Sequence, residues 1–214
     1  MAPSWALHSG ATCLPGVAWF PNPMSEHARE HLATDADLGP VVERVGPVSL
    51  DPAEDPFERL VVALVRQQVS TEAAAAIRER LFERVEVTPA GLLAADTDVL
   101  RDAGLSAAKT EYVRAAAAAF RDREYDRSTF ADMNDETVVA ELTDIRGIGP
   151  WTAKMFLLFC LGREDVFPVE DLAIRKGMWE VVDEGLTRAE MRERAGDWAP
   201  YRSYASLYLW RAVE

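Results

Sequence analysis

Lysine is scarce in this chain. Of 23 basic residues, three are lysines (Lys109, Lys154, Lys176) and the remaining 20 are arginines. Cysteine is scarcer still, with Cys13 and Cys160 alone. That excludes a disulfide framework and a four-cysteine iron–sulfur cluster, and it points to a reducing, cytoplasmic setting. Cys160 lies in an apolar run and reads as a buried core thiol. No stretch approaches the roughly 20 unbroken apolar residues of a membrane helix. Residues 1–23 are apolar in places, yet they lack a basic start and are broken by Gly10, Pro15, Gly16 and Pro21. They read as a disordered N-terminal extension, not a signal peptide. Alternating strand patterns are also missing. Val85–Thr88 comes nearest and is too short to build a sheet.

Positive charge as a whole is in deficit, with a net charge of −13. Bulk attraction to nucleic acid is therefore not expected. An acidic, lysine-poor surface is what a salt-rich cytoplasm selects. There screening shrinks to a few ångströms and local charge outweighs the total. Residues 146–176 hold five bases and four acids, a net of +1 against −14 for the rest of the chain. The chemistry is expected in that window.

What the chain has in abundance is helix signal. It has 214 residues, about half of them apolar, enough for one large domain or two tightly joined lobes. Asp55-Pro56-Phe57-Glu58 reads as an N-cap, a first-turn proline and a capping-box acid, followed by Phe57, Leu60, Val61, Leu64 and Val65 at helical spacing. Ser70, Thr88, Ser106, Asn134 or Asp135, and Thr187 open further helices. Trp151–Leu161 is apolar on nearly every face and predicts a buried central helix. Tyr201–Ala212 is a last helix. The expected class is all-α, with short connections.

The most informative segment is Ile145-Arg146-Gly147-Ile148-Gly149-Pro150-Trp151-Thr152-Ala153. A helix ends, two glycines bracket an isoleucine, and a proline opens the central helix. Glycine allows positive φ and puts no Cβ between backbone and partner. The turn and the new helix's N-terminus can then aim free N–H groups at one phosphate, with Ile148 pinned on the core side. An ordinary αα-hairpin carries the same tripeptide, so Gly-x-Gly alone decides nothing.

Together with Val166-Phe167-Pro168-Val169-Glu170-Asp171, this hairpin resembles the helix-hairpin-helix glycosylase superfamily, and within it the DNA-3-methyladenine glycosylase II type. Arg66-Gln67-Gln68-Val69-Ser70, Gly104-Leu105-Ser106-Ala107-Ala108-Lys109 and the stretch from Trp198 to Trp210 are similar to the same family in the same order. The resemblance covers roughly residues 30–213. Longer members carry an additional N-terminal β-rich domain for which this sequence has no room. The resemblance therefore implies a two-lobed helical bundle over 24–214, with the active site in the cleft between lobes. It also implies a DNA duplex with a damaged base as partner, a monomer, and no cofactor beyond a monovalent cation at the Ile145 and Gly147 carbonyls.

The resemblance makes Asp171 the catalytic carboxylate. Cleaving an N-glycosidic bond builds positive charge on the sugar, which a fixed anion in a dry pocket stabilises. The same group can orient or deprotonate the attacking water. An Asp after an extended Val-Phe-Pro-Val stretch is equally a plain N-cap, and both roles can hold together; free N–H groups of the following helix favour its charged form. A helix from Pro150 to Leu161 is roughly 16–18 Å long. The nine residues after it can span about 30–32 Å, so Asp171 can return beside Trp151. Superfamily members that also nick the backbone place a lysine where this chain has Trp151, so water is the expected nucleophile. Alkylated purines such as 3-methyladenine and 7-methylguanine are cationic and stack well on electron-rich rings. The resemblance carries Trp151 and Trp210 to the pocket, with Tyr204, Phe156 and Met155 as neighbours. Each aromatic on a core helix is also an ordinary core residue. Gln68 takes the intercalating position. Gly147, Ile148, Gly149, Thr152 and Lys154 are the remaining DNA-facing candidates, with Lys154 a phosphate contact or a surface charge. Glu170 and Asp165 read as structural or solvated. The rivals are a glycosylase for another lesion such as hypoxanthine, a non-catalytic helix-hairpin-helix module, and a helical protein-interaction domain.

Overall fold

A computed structural model describes residues 22–214. The cap signals become helices one after another. Asp55 Oδ1 accepts from the N–H groups of Phe57 (2.7 Å) and Glu58 (3.0 Å) to open α3, Pro56–Arg66. It is preceded by α1 (Glu26–Ala33) and α2 (Gly39–Val45), neither of which the sequence pattern announced. The caps at Ser70, Thr88 and Ser106 open α4 (Thr71–Arg84), α5 (Pro89–Ala94) and, after α6 (Thr97–Asp102), α7 (Ala107–Asp122). A short α8 (Arg127–Ala131) precedes α9 (Asp135–Thr143), whose cap is Asn134 and not Asp135. Thr187 and Glu190 form the expected capping box at α12, Arg188–Arg194.

The central helix is α10, Pro150–Phe156. Its last stretch, Leu157–Leu161, widens to i→i+5 hydrogen bonding and closes on Gly162 in the left-handed conformation. Then come α11 (Leu172–Val181) and α13 (Arg202–Ala212). The one sheet among the described residues is a two-residue antiparallel ladder, with Asn22 opposite Leu50 and Pro23 opposite Ser49. The expected extension over 1–23 is therefore corrected at its last two residues, which belong to this ladder. The remainder, 1–21, lies outside the described residues, as does Cys13. Val85, in the segment nearest to a strand by sequence, only ends α4 in an extended conformation.

Two groups of helices pack into a continuous core. In one, α3, α4, α5, α7, α9 and α10 enclose Leu60, Leu64, Val113, Leu142 and Phe156. In the other, α1, α2, α11 and α13 enclose Leu32, Val42, Met178, Tyr208 and Leu209. The segment 162–171 crosses between them. Ser203 Oγ donates to the Arg163 carbonyl at 2.6 Å and accepts from the Val166 N–H at 2.9 Å. Arg202 grips Asp165 with two bonds of 2.6 and 2.9 Å. Asp165 is thus a structural partner at the seam. Cys160 is fully buried, and burial pushes its thiol far above the ordinary range, so it is unreactive packing.

Helix α11 lies unusually close to α13. A Cβ at Gly177 would sit 2.6 Å from the Leu209 carbonyl oxygen. Backbone cannot yield there as a flexible side chain would. Gly177→Ala is expected to force the helices apart and cost about 1–3 kcal/mol in denaturant unfolding. An unchanged unfolding midpoint would show that the two helices are not held at this spacing.

Candidate active site

Three elements converge on one carboxylate. Asp171 is the N-cap of α11. Its Oδ1 accepts from the N–H groups of Ala173 at 2.8 Å and Ile174 at 3.1 Å. The same oxygen accepts from the indole N–H of Trp210, near the end of α13, at 3.1 Å. The other oxygen, Oδ2, accepts from the indole N–H of Trp151, in the first turn of α10, at 2.8 Å. Every partner is a donor. Oδ1 is crowded with three bonds, whereas Oδ2 has one and keeps acceptor capacity for something from outside. The N-cap and pocket readings of Asp171 hold together. Both indoles are half-buried. A ring that donates through its edge keeps its faces for stacking. Phe159 covers Trp210 at 5.7 Å and 26°.

The chain leading to Asp171 is pinned from both sides. Lys154 Nζ donates to Glu170 Oε1 (3.1 Å) and Oε2 (2.9 Å) and to the Phe167 carbonyl (3.2 Å). Arg175 Nη1 donates to the carbonyls of Glu170 at 2.7 Å and Val169 at 3.2 Å. This corrects the expectation for Lys154. Its charge is spent on Glu170, and its work is to hold the residue before Asp171 against α10.

The hairpin joins α9 to α10 beside this carboxylate. Gly147 has φ +92°, and a Cβ there would lie 2.1 Å from the Tyr112 ring. Only glycine meets both constraints. Gly149 has φ −102°, and a Cβ would meet nothing within 4 Å, so the folded chain itself has no need of glycine there. Ile148 is buried, and its N–H donates to the Ile145 carbonyl at 3.0 Å. That corrects part of the expected grip: Ile148 anchors the turn and offers no free donor. The backbone N–H groups of Gly147, Gly149, Trp151 and Thr152 make no hydrogen bond among the described residues. Of these, Gly147, Gly149 and Trp151 are not buried, and the exposed Arg146, whose N–H is likewise unbonded, adds a donor at the turn. The Thr152 side chain does not join them, because it is buried and its hydroxyl accepts from Gln67 Nε2 at 3.0 Å.

The other expected site residues divide by burial. Gln68 is exposed, with φ +56°, an uncommon conformation for a residue with a Cβ. Met155 is buried one turn beyond Trp151. Two pocket expectations are corrected. Phe156 packs against Phe130 and Phe120 in the core, with 1% of its surface exposed. Tyr204 is fully buried; burial and its 2.9 Å hydrogen bond to Glu164 hold the phenol well above its ordinary pKa. Neither has surface to offer a base. Sequence reasoning missed Leu172, which directly follows Asp171 and is 53% exposed despite being apolar. It also missed Phe159 and Tyr112, for which no local signal existed. Of the five bases in the 146–176 window, Lys154, Arg163 and Arg175 are engaged internally. Arg146 and Lys176 are exposed, and Arg146 pairs with Glu111. Among the described residues no three His, Cys, Asp or Glu side chains are grouped to hold a metal ion, and no helix is long and apolar enough to cross a membrane.

A glycine turn with free backbone donors, set next to a carboxylate between two indoles, is the geometry of a helix-hairpin-helix motif, whose N–H groups suit an anionic partner. The sequence profile described as HhH-GPD superfamily base excision DNA repair protein matches residues 61–200, and the chain belongs to that family. DNA-3-methyladenine glycosylase 1 of Schizosaccharomyces pombe is 32% identical over 166 residues, 74% of this chain and 72% of the yeast protein. DNA-3-methyladenine glycosylase 2 of Escherichia coli is 32% identical over 73% of this chain and 57% of its own length. A Bacillus subtilis relative is 42% identical over 84 residues, 38% of this chain and 29% of that protein. Among solved structures, the Schizosaccharomyces pombe 3-methyladenine DNA glycosylase in complex with abasic DNA superposes with a TM-score of 0.79. It is 30% identical, with 86% of this chain and 95% of that one covered. A DNA-3-methyladenine glycosidase from Bacillus halodurans gives 0.78 at 34% identity, covering 88% and 89%.

The two glycines separate folding from binding. Gly147→Ala is expected to destabilise the protein by more than about 1 kcal/mol, through the Tyr112 clash and the positive φ. Gly149→Ala is expected to leave the melting temperature unchanged and, if the open space beside Gly149 is where a phosphate docks, to weaken binding to a duplex with an abasic analogue by about tenfold. Fluorescence anisotropy beside a thermal melt checks both. Equal effects on stability would contradict the assignment.

Proposed function

We propose that this protein is a monofunctional DNA glycosylase of base excision repair, which flips an alkylated purine from the duplex and releases it by hydrolysis to leave an abasic site. The observation that carries the reading is the Asp171 carboxylate, held by two indole and two backbone N–H groups beside the free donors of the hairpin. As the glycosidic bond breaks, charge develops on the sugar. The carboxylate oxygen with spare acceptor capacity, Oδ2, faces that charge and can also orient the incoming water. Trp151 and Trp210 hold the anion by their edges and offer ring surface to a cationic, electron-poor base. Damaged bases also cost less to extrude. The amine needed for a backbone-nicking step is missing, since residue 151 is Trp and Lys154 is committed to Glu170. The names of the yeast and Escherichia coli relatives agree with alkylpurine release.

The hairpin meets the backbone of the DNA, with Gly149 at the point of contact and Gln68 inserted where the base has left. A monovalent cation at the Ile145 and Gly147 carbonyls fits as far as the donor atoms go. Each carbonyl already accepts one hydrogen bond, from Ile148 N–H and Gln67 Nε2, and each keeps a second lone pair. Such an ion would brace the turn and take no part in bond cleavage. The protein acts as a cytoplasmic monomer on duplex DNA.

Asp171→Asn tests the reading. Release of 3-methyladenine and 7-methylguanine from methylated DNA is expected to fall at least about a hundredfold, with affinity for an abasic-analogue duplex held within about threefold. Wild-type release of hypoxanthine alone would move the substrate class to deaminated bases. Binding without any base release would leave a non-catalytic module.

A further inference from the structure

Gln67 ends α3, but its side chain leaves its own loop. Nε2 donates to the Gly147 carbonyl at 3.0 Å and to Thr152 Oγ1 at 3.0 Å. One acceptor belongs to the left-handed glycine of the hairpin; the other belongs to the first turn of α10 and is buried. These two bonds link residues 80 and 85 positions apart. Among the described residues, no other hydrogen bond joins the loop 67–69 to the hairpin. The two residues that follow face outward: Gln68 in its left-handed conformation, and Val69 with 38% of its surface exposed. Two residues before Gln67, Lys109 Nζ donates to the Val65 carbonyl at 2.6 Å, which fixes the end of α3 from the side of α7.

We propose that Gln67 is a positioning residue that couples the inserting loop to the phosphate-gripping turn. This rests on the glycosylase reading above. The two features must act on the same duplex at a set separation. One enters the base stack while the other holds the backbone, and an offset of an ångström between them would waste the insertion. A sparsely populated conformation such as that of Gln68 persists only where the surroundings over-determine it. The Gln67 amide and Lys109 supply that from two sides. The amide makes no hydrogen bond to Asp171 or the indoles, and it takes none of the free hairpin donors. Its effect therefore falls on base extrusion, not on bond cleavage or on general affinity for DNA.

The test uses single-turnover release of one 7-methylguanine placed either opposite cytosine or opposite an abasic spacer, where little unpairing remains to be done. Gln67→Met keeps the length and removes the donor; Gln67→Glu presents a carboxylate to the Gly147 carbonyl. Both are expected to slow release from the paired site about tenfold and from the unpaired site less than about threefold. Their melting temperatures should fall by no more than about 10 °C, leaving them folded at the assay temperature, and a 2-aminopurine at the target position should brighten less on binding. Thr152→Val removes one of the two acceptors, leaves Gln67 in place, and serves if the Gln67 variants do not fold. It should show the same context dependence at smaller size. Combined with Gln67→Met it should cost less than the sum of the two. Equal slowing in both contexts, or none, overturns the coupling role. A wild-type protein that releases no base from either duplex strikes the glycosylase reading instead.

Discussion

The four N–H groups on Asp171 set the terms for the rest of the molecule. A carboxylate between two tryptophans is costly unless hydrogen bonds replace its lost water, and hydrogen bonds to a charged acceptor are the stronger kind. Meeting that demand requires the start of α11, the start of α10 and the end of α13 to meet at one point. Much else in the seam follows from it. Gly177 lets α11 approach α13 closely enough for Trp210 to reach. Lys154 and Arg175 clamp Glu170, so the chain enters α11 with Asp171 already aimed. Phe159 backs the Trp210 ring. Positioning and protection of the anion are thus built from the same contacts that join the two helical groups.

Charge gives a reason for the proposed DNA grip to be made of backbone. With a net of −13, the chain gains nothing from long-range attraction, and most of its basic side chains near the site are paired within the protein. Neutral N–H donors at a turn bind phosphate through the short-range geometry of hydrogen bonds, which screening touches less than it touches distant charge. An acidic protein of the kind suited to strong salt can therefore keep a DNA site by concentrating it in one glycine turn. Gly149, whose missing Cβ would meet only open space, belongs to this surface more than to the fold.

Much of this was legible in the sequence because capping is local. Asp55, Ser70, Thr88, Ser106, Asn134 and Thr187 each announce a helix through one side chain and a backbone N–H within three residues. The Asp171 position and the hairpin were legible through the family resemblance together with the turn chemistry of Gly147. Failures came where the answer depends on which face of a helix meets which neighbour. Phe156 and Tyr204 sit on the right helices but turn into the core. Thr152 and Lys154 sit in the first turns of α10, yet they face Gln67 and Glu170 and not solvent. Gln67 was named with its loop, but nothing local shows that its amide reaches residues 80 and 85 positions away. The short ladder of 22–23 with 49–50 carries too few residues for any periodic signal.

The most direct measurement compares two abasic-site analogues in otherwise identical duplexes. One is a neutral tetrahydrofuran; the other is a pyrrolidine whose protonated nitrogen stands in for the charged anomeric carbon. If Asp171 is the anion that meets that charge, the wild-type protein will bind the cationic analogue more tightly than the neutral one by about tenfold or more, and Asp171→Asn will erase the difference while leaving tetrahydrofuran binding in place. Equal preference in both proteins would place the carboxylate away from the reacting sugar and contradict the account.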